Sequence, residues 1–196
     1  MLNITLDMNC IIDLEQGNAR AAHLKRLLKI HNDERINLRV VAISASERKP
    51  DGTYLSNISE FRDRIARLGL AEVEILPTIC YIGLSFIGHC LIGGGAPSKL
   101  EREIQSILFP TIEREYSSFC EKQGIDRDNP EARQKWRNAH CDVLALWSHI
   151  WHNGDIFITS DKNFHKKTKK AKLIALGAVR ILKPREAVNF LNKAHA

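Results

Sequence analysis

Asp155-Ile156-Phe157-Ile158-Thr159-Ser160-Asp161, with Val179-Arg180-Ile181-Leu182-Lys183-Pro184 after it, decides how this chain folds. Each is a short apolar run rich in β-branched residues, which reads as a strand. Between them, from about Phe164 to Leu176, lysines on one side and Leu173, Ile174 and Leu176 on the other predict a helix that Gly177 ends. A further helix runs from Pro184 to the end. Strands alternating with helices indicate βαβ units and a parallel sheet, because parallel neighbours need a long crossover.

Working back along the chain, Leu2–Leu6 is a strand that ends at Asp7. A helix from about Cys10 turns Ile11, Ile12 and Leu14 inward, and a second covers about Ala19–Ile30. Asn37–Ile43 reads as a buried strand. Ser44 or Ser46 would cap a short helix that carries Glu47 and is broken at Pro50-Asp51-Gly52. Asn57–Leu68 is a helix with Ile58, Phe61, Ile65 and Leu68 on one face, stopped by Gly69. Glu72–Leu76 is a candidate strand. Ser98 and Glu101 form a capping-box pattern for a helix to Leu108. Pro110 is a candidate first residue of the next helix, and Asn129-Pro130 starts a long one to about His152, with a break near Asn138. The expectation is one α/β domain over 1–196, with a core of about 1–76 and 130–196 and an insertion or elaboration at 77–129.

At 196 residues, 44% hydrophobic and 27% charged, the chain is long enough to bury a core without staples. Its net charge of +6 favours an anionic partner. The five cysteines are odd in number and contain no CxxC, and no basic segment with an apolar run opens the chain. Free thiols in a cytoplasmic setting are the expectation. The most apolar stretch, Ile75–Ile92, is interrupted by Pro77, Gly83, Gly88 and His89, so it predicts a buried element under a loop rather than a membrane span.

Ligands of an open α/β sheet bind outside the carboxyl ends of its strands. Asp7 and Asp161 each end a strand, Glu47 follows the second strand, and Asp142 lies on the helix before the Asp155–Ser160 strand. Carboxylates gathered in this way repel one another, and a hard divalent cation relieves that repulsion. Oxygen donors suit Mg²⁺ or Mn²⁺ rather than zinc. The competing interpretation is that these are separate caps, turn residues and surface acids.

Several short motifs, taken in order, resemble the PIN-domain nucleases, the family that includes VapC-type toxins of toxin–antitoxin pairs. Ile4-Thr5-Leu6-Asp7-Met8-Asn9-Cys10-Ile11-Ile12-Asp13-Leu14 resembles the first strand and helix, with Asp7 as the first acid and Asn9 as the asparagine after it. Val40-Val41-Ala42-Ile43-Ser44-Ala45-Ser46-Glu47 resembles the second strand and its acid, with Glu60 as an alternative. Asp142-Val143-Leu144-Ala145-Leu146 and Ile158-Thr159-Ser160-Asp161-Lys162-Asn163-Phe164 resemble the segments with the third and fourth acids. Val179–Ala187 resembles the terminal strand, proline and helix. The likeness covers roughly 1–70 and 138–191. It departs at Met8, where the family often has Thr or Ser.

The resemblance implies a three-layer α/β/α sandwich and Mg²⁺- or Mn²⁺-dependent endoribonuclease activity. Asp7, Glu47, Asp142 and Asp161 would be the catalytic and metal-binding acids. Single-stranded RNA is the expected partner, and an antitoxin protein and a second copy of the chain are partners the family allows. Asn9 would hold a carboxylate or contact substrate, and Lys162, Lys166 and Lys167 would contact the RNA backbone. Thr159 and Ser160 are candidate supports for the acids or simply strand residues.

Lys162, Lys166, Lys167, Lys169, Lys170 and Lys172 read equally as phosphate contacts or as the solvated face of a helix. Trp136, Trp147 and Trp151 favour core packing over base stacking. His149 and His152 lack partners at zinc spacing, and His140 reads as a helix-surface residue. Gly93-Gly94-Gly95 lacks a GK[ST] ending, and no GxSxG elbow occurs. The rival function is a PIN-like module that binds RNA or protein without cleaving. A phosphatase with a nucleophilic aspartate would want Asp rather than Asn at position 9.

Overall fold

The computed structural model describes residues 1–47 and 52–194. In chain order its strands are Leu2–Leu6 (β1), Ile36–Val41 (β2), Glu74–Leu76 (β3), Thr78–Ile79 (β4), Cys90–Leu91 (β5), Ile156–Ile158 (β6) and Arg180–Leu182 (β7). Five of them make one sheet in the order β3-β2-β1-β6-β7, and each neighbouring pair is parallel. The α-helices are Met8–Gln16 (α1), Ala21–Asn32 (α2), Ile58–Ala66 (α3), Gly95–Leu108 (α4), Tyr116–Gln123 (α5), Pro130–Trp151 (α6), Lys162–His165 (α7), Lys167–Leu173 (α8) and Pro184–Ala194 (α9).

Strand side chains alternate between faces, so a sheet covered on both sides needs apolar residues at successive positions. Ile4, Leu6, Leu38, Val40, Ile156 and Ile158 pack with Ile11 of α1, Leu24 and Leu27 of α2, Phe61 of α3 and Leu191 of α9. Phe157, Ile181, Val41 and Leu76 belong to the opposite core, with Ile104 and Leu108 of α4, Leu144 and Trp147 of α6 and Leu173 of α8. The result is three layers, α/β/α. Residues 77–129 add the small parallel pair β4–β5, α4 and α5 to the α6 side.

Thr5 of β1 and Arg39 of β2 are polar yet buried. Arg39 Nη1 donates to the His152 carbonyl, 2.9 Å away, at the C-terminal end of α6, where the helix dipole is negative. The ring of His149 fills the space beside Gly154, where a Cβ would lie 2.1 Å from Nδ1.

Four sequence expectations are corrected. α6 runs unbroken through Asn138; Asn129 caps its start, accepting from Ala132 N, and Pro130 opens it. Ser98 is not a cap: α4 begins a turn earlier at Gly95, so Glu101 falls mid-helix, fully buried and 3.0 Å from Arg114 Nε. Pro110 opens no helix, and the next begins at Tyr116. Ile75–Ile92 is not a buried element. It turns at Gly83 and Gly88, burying Ile79 and Leu84 while Ile82, Ile87 and Ile92 stay more than nine-tenths exposed. The expected break at Pro50-Asp51 lies outside the described residues. Among the described residues no helix is long and apolar enough to cross a membrane.

Candidate functional site

The register of β1 and β6 builds the site. Leu6 pairs with Ile158, so Asp7 and Thr159 leave the sheet side by side, and Asp7 N donates to the Ile158 carbonyl at 3.0 Å. Asp7 then caps α1, accepting from Met8 N at 2.8 Å on Oδ1. Its Oδ2 accepts from Thr159 Oγ1 at 2.6 Å and from Asn9 Nδ2. An ionised carboxylate offers about four lone-pair directions. Three are taken, which fixes the rotamer and leaves one for a ligand.

Asn9 joins the two strand ends. Its Nδ2 also donates to Thr159 Oγ1 at 2.9 Å, and its Oδ1 accepts from Ser160 N and Ser160 Oγ at 2.9 and 3.0 Å. Its amide is thus engaged within the protein, in a positioning arrangement. Met8 is buried. The hydroxyl that reaches the first acid comes from Thr159, at the end of the neighbouring strand.

Asp161 caps α7, accepting from Asn163 N at 2.7 Å. Glu47 follows a 3₁₀ turn over Ala42–Ser46 that carries the chain from β2 across the sheet edge. Asp142 projects from α6. Asp7, Glu47, Asp142 and Asp161 line one cavity of about 360 Å³, together with Asn9, Ile12, Asn138 and Ser160. Glu60 is elsewhere: it sits exposed in the first turn of α3, accepting from Ser56 N.

The electrostatics follow from this crowding. Burial, opposed by the hydrogen bonds and reinforced by the charge of Asp161, raises the Asp7 carboxyl to about 6. Burial, then repulsion from Asp7 and Asp161 against the attraction of Arg64, pushes Glu47 well above the carboxylate range. Asp142 is raised by burial and by all three neighbouring acids. Glu47 Oε1 is buried with no hydrogen-bond partner among the described residues. An all-carboxylate donor set with one orphaned oxygen and mutual repulsion fits a hard cation. The ligands would be these four acids. Among the described residues, no group of three or more His, Cys, Asp or Glu side chains already stands in ligating arrangement.

A second cavity of about 790 Å³ shares Asn138, Asp142 and Asp161 with the first. Lys135, Lys162, Lys166 and Lys169 line it, beside Leu108–Ile112. Lys167 is exposed on α8 but does not line this groove. Lys169 is held by Asn163 Oδ1 at 2.7 Å, and burial, then Lys166, lowers its pKa. Lys135 and Asn138 were missed in the sequence. Helical spacing from Asp142, at i−7 and i−4, is the signal that finds them.

Asp13 is a further buried acid on α1, but it is engaged otherwise: Arg20 Nε and Nη2 and Asn18 Nδ2 all reach it at 2.6 Å. His140, His149 and His152 do not line the acidic cavity. His140 is fully buried against Trp136, their ring centroids 4.1 Å apart, which corrects its surface placement. His149 lies between Thr5 and Ala178, and His152 contacts the Pro77 carbonyl. Trp147 is in the core and Trp151 stacks on it, partly exposed.

Comparison of the chain with protein-family models, with curated proteins and with solved structures returned no match.

Proposed function

We propose that this protein is a PIN-like, Mg²⁺- or Mn²⁺-dependent endoribonuclease. One observation carries the reading: four carboxylates from four parts of the chain line one cavity at the carboxyl edge of a parallel sheet, beside a groove with four lysines. A bound divalent cation would supply Lewis acidity and a water of lowered pKa for phosphodiester hydrolysis. The protein's own work is positional. Thr159, Asn9 and Met8 N hold Asp7 in one orientation, and the Asn163 amide holds Asp161. Lys135, Lys162, Lys166 and Lys169 would neutralise phosphates of a strand laid along the groove, each contact adding about −0.7 to the log–log salt slope of single-strand binding. A role as the toxin of a toxin–antitoxin pair is part of the same proposal.

The test is cleavage of a mixed single-stranded RNA pool by wild type and Asp161→Asn, with Mn²⁺ or with EDTA. The expected result is cleavage by wild type that disappears with EDTA and in the variant. Equal cleavage by both proteins would remove the assignment. A second reading is an RNA-binding module that does not cleave; its support is that, among the described residues, no ligand trio is ready-made. It predicts salt-sensitive RNA binding that is indifferent to EDTA, with no cleavage in Mn²⁺.

A further inference from the structure

A further cavity of about 600 Å³ is built largely from the 77–129 region and from Arg133, Trp136 and Arg137 of α6. Four aromatic rings line it: Tyr54, Tyr81, Tyr116 and Trp136. Three arginines lie over three of them, Arg137 over Tyr54 at 4.6 Å, Arg133 over Tyr116 at 5.1 Å and Arg114 over Tyr81 at 5.8 Å. Glu115 adds one negative charge to the lining. The polar ends of three rings are turned away into backbone: Trp136 Nε1 donates to the Glu113 carbonyl, Tyr116 OH to the Arg127 carbonyl and Tyr81 OH to the Arg114 carbonyl. These bonds fix the rings, so the cavity is offered flat π surfaces and guanidinium planes. Its size lies in the range of small-molecule sites.

Such a lining suits one chemistry, a flat aromatic ring joined to an anion. Bases of single-stranded RNA are recognised by stacking on aromatic side chains and on arginine planes. Arg137 links the cavity to the acids. Its Nε donates to the carbonyl of Ser46, the residue before Glu47, at 2.9 Å, and its Nη1 donates to Gly83 at 3.0 Å. Arg137 also precedes Asp142 by five residues on α6, about 7.5 Å along the axis. The Ser46–Glu47 backbone and α6 are thus the two elements that the cavity and the acids share.

We propose that this cavity is a nucleobase-binding subsite that takes a base flanking the bond to be cut, and so sets the base preference of the protein. The inference rests on the reading of the acidic cavity as an RNA-cleaving centre. Arg137 is committed to its two carbonyls and Arg114 to the buried carboxylate of Glu101, so Arg133 supplies the anion contact, and Tyr54, 41% exposed, supplies the accessible stacking face.

The experiment measures binding of four fluorescently labelled single-stranded RNA homopolymers, of A, C, G and U, by anisotropy in EDTA. Wild type, Tyr54→Ala, Arg133→Ala and the charge-matched control Lys25→Ala, on the opposite face of the sheet, are compared, with thermal melts to verify folding. The expected result is a preference for one base in wild type. Tyr54→Ala and Arg133→Ala should weaken that complex at least about 5-fold, the lower end of a lost base–aromatic stack, and level the preference, while Lys25→Ala does not. Unchanged affinity and preference in both pocket variants would overturn the proposal, as would wild type that binds none of the four. An acidic Glu-rich peptide binding in their place would assign the cavity to a protein partner and also overturn it. Asp7→Asn with Mn²⁺ separates the two readings. Cleavage lost in that variant, with RNA binding that ignores Tyr54 and Arg133, overturns the subsite alone. Pocket-dependent base preference in a protein that never cleaves supports the subsite and overturns the hydrolase.

Discussion

The Thr159 hydroxyl has one proton and two lone pairs, and all are used: it donates to Asp7 Oδ2 and accepts from Asn9 Nδ2 and from Asp161 N. It therefore sets two of the four acids at once. Thr159→Val keeps the strand and removes the hydroxyl. It should lower stability by about 1–3 kcal/mol, the cost of buried groups left unpaired, and reduce metal-dependent cleavage about 10–100-fold, as loss of ligand-orienting partners does. Denaturant melts and single-turnover cleavage measure the two effects. Asp142 gives an opposite stability effect. Its carboxyl is raised by burial and by its acidic neighbours, so its charge becomes a liability to the fold as pH rises through its raised pKa. Asp142→Asn should therefore raise the melting temperature at pH 7.5 in EDTA, by about 2–4 °C for each kcal/mol of repulsion relieved, while abolishing cleavage. An unchanged or lower melting temperature would contradict the crowding argument.

His149 makes a different pH prediction. The Ala178 carbonyl can only accept, so Nε2 carries the proton and Nδ1 accepts from Thr5 Oγ1 at 2.9 Å. Burial lowers its pKa to about 4. The unfolded chain takes up this proton near pH 6.5, but the folded protein does not until about 4. Its contribution to stability is thus lost as pH falls through that window, by on the order of 3 kcal/mol. Asp7, raised to about 6, works the other way in part of the same range. The informative quantity is therefore the difference between wild type and His149→Gln in urea unfolding at pH 7 and pH 4.5. The loss of stability on acidification should be smaller in the variant, and an equal loss would contradict the assignment.

At the scale of elements, α6 organises the α4–α8 side of the sheet. It carries Asp142, the groove residues Lys135 and Asn138, and the pocket residues Arg133, Trp136 and Arg137. Its far end is held at His149 against Gly154, which leaves no space for a Cβ. Gly154→Ala should destabilise the protein by about 1–3 kcal/mol through overpacking, measurable as a lower urea midpoint. The short β4–β5 pair places the Cys80 and Cys90 Sγ atoms 2.6 Å apart as free thiols, with Cys80 exposed. With oxidised glutathione, the two thiols should give up two electrons and two protons to form one disulfide, releasing two glutathione thiols. Cys10, Cys120 and Cys141, all buried, should remain free; peptide mapping that finds the cross-link elsewhere would contradict the geometry.

At the scale of the molecule, the parallel α/β core was legible because its strands are short apolar runs ended by Asp7, Asp161 and Pro184. The placement of Asp7 beside Thr159 follows from one register, which sequence can suggest but not supply. That Asp7, Glu47 and Asp161 meet was legible from topology, since carboxyl ends of parallel strands share an edge, and Asp142 reaches the same cavity from α6. The middle of the chain was not. Ile75–Ile92 looks buried by composition, yet Ile82, Ile87 and Ile92 are exposed because the chain turns at Gly83 and Gly88. The aromatic and arginine pocket was hidden for a similar reason: Tyr54, Tyr81, Arg114 and Trp136 come from separate segments, and no local period connects them.

The proposed function stands or falls with a divalent-cation site made by Asp7, Glu47, Asp142 and Asp161. Isothermal titration of metal-free protein with Mn²⁺ tests it most directly, with wild type, Asp7→Asn, Asp142→Asn and Asp161→Asn compared at pH 7.5. Wild type should bind saturably, and each folded variant should lose binding or bind at least about tenfold more weakly, since each removes a ligand. Equal binding by all four proteins, or none by wild type, would contradict it.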